Sequence, residues 1–138
     1  MRRGPGGRAS RDRGAAAVEF ALLLPLLLFL VFGIIDFGRA LNAQITLTQA
    51  AREGARLAAL GESNVVSGTQ AAAAGLSPVN VSVVTSCPVG AGAGVNAKVT
   101  ATYSFTFVTP INAIAHMFGS NLGSGLTLSA TGVMPCET

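Results

Sequence analysis

Hydrophobic and polar positions divide the chain into stretches with different periods. Residues 20–35, "FALLLPLLLFLVFGII", contain no charge in sixteen positions. As a helix this run is about 24 Å long, short of the roughly 30 Å hydrocarbon core of a bilayer. Adding residues 15–18 and 37–38 gives a span of residues 15–38, with Glu19 and Asp36 near its two ends. Pro25 removes one backbone bond, which membrane helices tolerate better than soluble ones. Past the span the period stays helical: Asn42, Thr46, Gln49, Glu53 and Arg56 step by four, three, four and three, so they share one face. Leu41, Ile45, Ala51, Ala55 and Ala58 form the expected apolar stripe, whose small members would let another element come close. The pattern predicts an amphipathic extension over residues 39–60, with a Glu53–Arg56 pair on its surface and Gly61 as its C-cap.

Beyond Gly61 the period changes to two. Residues 61–78 are rich in Ala, Gly, Ser and Asn and read as a linker with a short helix around residues 69–74. "VNVSVV" (79–84), "VNAKVTATYSFTFV" (95–108) and "LTLSATGVM" (126–134) alternate apolar and polar, as half-buried strands do. In the second, Val95, Ala97, Val99, Ala101, Tyr103, Phe105 and Phe107 share a face. "GAGAG" (90–94) reads as a hairpin loop and lacks the spacing of a phosphate cradle; "INAIAHMF" (111–118) reads as a short helix. The expected fold is α+β: a long N-terminal transmembrane helix continues into a helix packed on a small antiparallel sheet, with residues 61–138 as a β-rich domain.

Composition sharpens the membrane expectation. Half of the 138 residues are hydrophobic and 11% are charged, with a mean hydropathy of +0.56, too apolar for a typical soluble domain. A buried globular helix is the alternative, but the remaining chain is too small to surround so apolar a rod. The formal charge of +3 is concentrated at one end. Arg2, Arg3, Arg8, Arg11 and Arg13 precede Gly14 against Asp12 alone, while four basic and five acidic residues follow it. A nucleic-acid binder would carry its basic stripe on the folded part, so nucleic acid is not an expected partner. The arginine-rich head predicts a cytoplasmic N-terminus and an exported C-terminal part. A secretory signal peptide has the same charge pattern. Its h-region would be shorter, and "GIIDFGRALNAQ" continues as helix, with only Ala40 and Ala43 resembling a cleavage site.

Glu19 is the anomaly in the span. A carboxylate there costs a few kcal/mol unless it snorkels or finds a partner. It sits about one turn inside, so snorkelling to the interface is one explanation. The other uses Gly14. A cut after Gly14 would create an α-amine on Ala15 and make Glu19 the fifth residue, one helical turn away or within reach of a neighbouring subunit. Pairing would then neutralise both charges in a low dielectric.

A basic leader, Gly before the cut, Glu at position five, Phe at six and an immediate apolar helix together resemble a type IV prepilin signal. "RGAAAVEFALLLPLLL", "DFGRAL" at 36–41 and "AAREGARLAAL" at 50–60 resemble the TadE-like proteins, minor pilins or pseudopilins of tight-adherence (Flp) pili. The likeness covers residues 13–60. It implies that residues 1–14 are a leader, that Gly14 and Ala15 flank a prepilin peptidase cut and that Glu19 is the pilin-type glutamate. The implied partners are that peptidase, other pilins and minor pilins, the inner-membrane assembly platform and the bilayer. Asp36, Gly38, Arg52, Glu53 and Arg56 match family positions without a role that can be stated; Asp36 is expected to mark the outer membrane interface.

Cys87 and Cys136 are the only cysteines. In an exported domain such a pair reads as a disulfide, with free thiols as the alternative. No catalytic, metal or cofactor motif is present: "DFG" lacks the other kinase elements, and His116 among Ile114, Ala115, Met117 and Phe118 reads as a packed side chain. Asn80-Val81-Ser82 is a glycosylation sequon by letters only. The sequence therefore predicts a pilus structural component without enzymatic activity or cofactor. The competing expectation is an uncut single-pass membrane protein with a small extracytoplasmic binding domain.

Overall fold

Ala, Leu and Arg dominate the first third of the chain, and they lose little on entering a helix. In the computed structural model, which describes residues 8–88, 90, 94–110, 119 and 125–136, they form one continuous helix, α1 (Arg8–Ala59), of 52 residues. At 1.5 Å per residue it is about 78 Å long. Pro25 lies inside it without ending it. The helix begins within the basic head, so Gly14 and Ala15 lie in unbroken helix. At the other end Gly61 takes φ +73°. Its N–H donates to the Ala58 carbonyl (3.3 Å) and the Glu62 N–H donates to Leu57 (3.0 Å), a Schellman cap that only a residue tolerant of positive φ can close.

A short helix, α2 (Val65–Ala72), folds back on α1. It starts and ends earlier than the expected helix at 69–74. Thr69 is fully buried, and its hydroxyl donates to the Val65 carbonyl at 2.7 Å. Three strands follow: β1 (Val79–Thr85), β2 (Asn96–Phe105) and β3 (Leu126–Pro135). They form an antiparallel meander in chain order, with Val79 opposite Tyr103 in one pair and Ala101 opposite Ala130 in the other. The register of β1 slips between Val83 and Thr85, a bulge at the end of that edge strand. Gly90 and Gly94, the two ends of the expected hairpin loop, both take positive φ; the residues between them, and the helix expected at 111–118 with His116, lie outside the described residues.

The sheet has two different faces because its period is two. Ala97, Val99, Ala101, Phe105, Leu128 and Ala130 point to α1 and are buried, and Tyr103 is half-buried. The opposite face carries Thr100, Thr102, Ser129 and Thr131, with the Thr100 and Thr131 hydroxyls 3.1 Å apart.

The face of α1 that meets the sheet differs from the expected stripe. Leu41 and Ile45 are exposed, at 49% and 58%. The buried positions are Asp36, Ala43, Leu47, Ala50, Ala51, Gly54, Ala55, Ala58 and Ala59, with Ala40 half-buried. Ala51, Ala55 and Ala58 of the expected stripe are thus correct, and its two largest members are not. Small residues win because helix and sheet come into backbone contact. A Cβ added to Gly132 would lie 2.5 Å from the Ala51 carbonyl carbon and 2.9 Å from the Arg52 nitrogen. A Cβ on Gly54 would run into the Thr69 hydroxyl. Close to Gly132 and Thr69 only small residues fit, and Leu47 is the one large side chain of α1 that is fully buried on this face. The expected polar face holds in the main, with Asn42, Gln49 and Arg56 exposed and Thr46 and Glu53 half-buried.

Candidate functional site

The apolar half of α1 stands clear of the rest of the fold. From Gly14 to Val31 every residue is exposed, including Leu22 at 75% and Leu26 at 66%. It is the one helix among the described residues long and apolar enough to cross a membrane. Glu19 and Asp36 bracket its apolar core, about 25 Å apart along the axis. Gly14 has open space where a side chain would be. As the glycine of an otherwise Ala- and Arg-rich turn it weakens the helix locally, by about 1 kcal/mol relative to Ala. Glu19 follows Ala15 by four residues, one helical turn away, so the geometry permits the expected pairing across one turn.

Asp36, near the end of the apolar span, is enclosed by the folded domain. Its side chain is buried, 1% exposed for the residue as a whole. One oxygen accepts from the Val108 N–H at 3.3 Å and from Arg39 Nη1 at 3.2 Å. The other accepts from the Thr109 N–H at 3.3 Å and from the Thr109 hydroxyl. Four donors converge on one carboxylate, and the three from Val108 and Thr109 fasten the segment after β2 to the helix. Arg39 also lies over the Phe105 ring, 5.2 Å from its centroid, and Phe105 meets Phe107 edge to face at 5.6 Å. Sequence reasoning missed this cluster. The partners lie 72 and 73 positions away, and nothing local to "IIDFGRAL" points to them; the only available signal was that a carboxylate in an apolar run requires a partner.

Cys87 and Cys136 form a disulfide with Cα atoms 5.7 Å apart. They follow β1 and β3, the two edge strands, so the bond ties the edges together beyond the end of the central strand. The Cys136 N–H donates to the Val95 carbonyl at 2.9 Å, which holds the same end of the sheet. On the outer face of α1, Arg56 and Glu53 form a two-pronged pair at 2.7 and 3.0 Å. The Arg56 guanidinium holds the Glu53 carboxyl below the usual carboxylate range. No group of three or more metal-ligating side chains exists among the described residues. The structure therefore brings Asp36, Arg39, Phe105, Val108 and Thr109 together and joins the two cysteines. It keeps Gly14, Ala15 and Glu19 apart from both, on the bare helix.

A bare apolar helix long enough to cross a membrane, joined to a small disulfide-closed α+β domain, is the build of a single-pass membrane protein. The family model described as TadE-like protein matches residues 14–56, so this stretch, from Gly14 through most of the sheet-packing segment, is TadE-like. No curated protein matches the chain, and no solved structure does.

Proposed function

We propose that the chain is a minor pilin-like subunit of a tight-adherence, Flp-type pilus. In this account the basic head stays in the cytoplasm and residues 15–38 cross the inner membrane. A prepilin peptidase cuts after Gly14, and the mature protein joins other pilins at the assembly platform through its apolar helix. It acts as a structural component and catalyses no reaction. The observation that carries this assignment is that the TadE-like match, residues 14–56, takes in all of the helix that the folded domain leaves uncovered, Gly14 to Val31, before it continues into the sheet-packing segment. Such a surface is suited to lipid first and to neighbouring helices afterwards. Glu19 then neutralises the new amine of Ala15, within the subunit or across to a neighbour, as the helix leaves the bilayer.

The test compares surface pili in a strain lacking this chain with the same strain complemented by wild type or by Glu19→Gln. Wild type should restore piliation. Glu19→Gln should reach normal mature protein levels, because the amide lowers the cost of insertion, yet should restore fewer pili. Normal piliation in the deletion strain would contradict the pilus assignment. Normal pili with Glu19→Gln at normal protein levels would refute the pairing role.

A further inference from the structure

We propose that the sheet end of the domain is seated on the bilayer surface, through an apolar rim made by Phe37, Val108 and Leu126. The helix and β3 run in the same direction, and three contacts fix their relative level. Leu126 lines a groove of about 350 Å³ with Gly33, Asp36 and Phe37; Gln44 donates to the Ser129 carbonyl at 3.0 Å; Gly132 abuts Ala51. The rise is about 21 Å from Phe37 to Ala51 along the helix and about 20 Å from Leu126 to Gly132 along the strand, so the levels agree throughout. Leu126 therefore lies where the apolar span ends. Val108 is at the same level, because Asp36 accepts from its N–H. These side chains are bare: Val108 is 72% exposed, Phe37 67% and Leu126 49%.

Charge is distributed to match. Among the described residues after Asp36 the charged side chains are Arg39, Arg52, Glu53, Arg56, Glu62 and Lys98. All but Arg39 lie toward the far end, with Lys98 opposite Val133 and beside Thr85. Among the described residues near the rim the one carboxylate, Asp36, is buried and hydrogen-bonded, and the one cation, Arg39, has 45% of its side chain exposed, suited to lipid phosphate. The occupant is the membrane surface because the rim continues the apolar face of the membrane helix itself. Apolar side chains at that level enter the boundary between headgroups and acyl chains, as interfacial segments do. Asp36 is a positioning residue in this arrangement: it holds the backbone of residues 108 and 109 at the depth of the interface.

The chain contains no tryptophan, which makes single substitutions clean depth probes. Full-length protein carrying Val108→Trp, Leu126→Trp, Val133→Trp or Phe29→Trp is reconstituted in phosphatidylcholine vesicles with and without acyl-chain-brominated lipid. All four sites are at least 44% exposed, so none of the substitutions fills the core. Phe29→Trp, inside the span, should be quenched most. Val108→Trp and Leu126→Trp should be quenched at least about half as much, as expected for side chains some 5–10 Å into the boundary region. Val133→Trp, about 23 Å further along the strand, should not be quenched. Quenching at Phe29 but at neither rim site overturns the seating and indicates that protein or water covers the rim. Equal quenching at Val133 and the rim overturns it as well, since the domain would then lie on its side. No quenching at Phe29 removes the membrane span and the seating with it.

Discussion

Replacing Gly132 tests whether backbone contact between α1 and the sheet governs the stability of the domain. Two effects oppose each other. Glycine within a strand costs about 0.5–1 kcal/mol relative to alanine, and valine is better still in strands, so local propensity predicts stabilisation in the order Gly, Ala, Val. The structure predicts the reverse. A Cβ at position 132 would meet the Ala51 carbonyl group and the Arg52 nitrogen at 2.9 Å or less. These are backbone atoms of a helix held on the same seam by Leu47, Ala50 and Ala55, each fully buried, so they cannot rotate away. Helix and strand would have to separate by about an ångström to restore ordinary contact distances, at an overpacking cost of about 1–3 kcal/mol or more. For Gly132→Ala the net loss should be about 1 kcal/mol, and for Gly132→Val about 2 kcal/mol or more, once propensity is subtracted. At roughly 4–8 °C per kcal/mol for a folded part of this size, Gly132→Ala should lower Tm by about 4–8 °C and Gly132→Val by at least twice that. Tyr103 is the only tyrosine and faces the seam half-buried. Its fluorescence in detergent-solubilised full-length protein therefore reports the domain rather than the detergent-bound helix. A Tm that rises from Gly to Ala to Val would refute the close-contact seam.

Three further outcomes follow from the same structure. Asp36→Ala should destabilise the domain by about 1–3 kcal/mol, because it strands the Val108 and Thr109 N–H groups; a midpoint equal to wild type in denaturant titration would exclude the fastening role. Cys87→Ser and Cys136→Ser should each cost about 4 kcal/mol in the chain-entropy account, since they remove the same closure over 49 positions. The double variant should lose little more, which paired melting curves under non-reducing conditions will decide. For the exposed Glu53–Arg56 pair the lowered Glu53 pKa sets the sign: its contribution is fully present above the unfolded pKa and is lost as pH falls through the folded one. Glu53→Gln should therefore leave Tm near neutral pH almost unchanged and should flatten only the acid limb of the stability profile; a large effect at neutral pH would contradict a screened surface pair.

How much was legible in the sequence depended on whether the signal was local. Alternation placed all three strands within two or three residues of their bounds, because a half-buried antiparallel sheet writes its period of two directly into the chain. Gly61 was readable for the same reason, since a Schellman cap is built from neighbours. The wrong choice of Leu41 and Ile45 arose because α1 has two apolar stripes. Hydropathy alone does not separate them, and the sheet approaches too closely to admit anything beyond alanine at most positions. Only the partner surface, with Gly132 in β3 and Thr69 in α2, decides between the stripes. Asp36 was opaque because three of its four donors come from residues 108 and 109. The cysteine pair was legible because two thiols allow a single pairing, whereas the short helix near residue 70 was misplaced because Ala, Gly, Ser and Thr give almost no periodic contrast.

The most direct test of the functional account is the N-terminus of the protein isolated from membranes of a cell that also makes its cognate prepilin peptidase. The account predicts a mature chain beginning at Ala15 with Glu19 as its fifth residue, and a full-length product for Gly14→Val, in which a side chain obstructs the backbone at the cut. A wild-type membrane form that still begins at Met1 or Arg2, with the basic head intact, would contradict it.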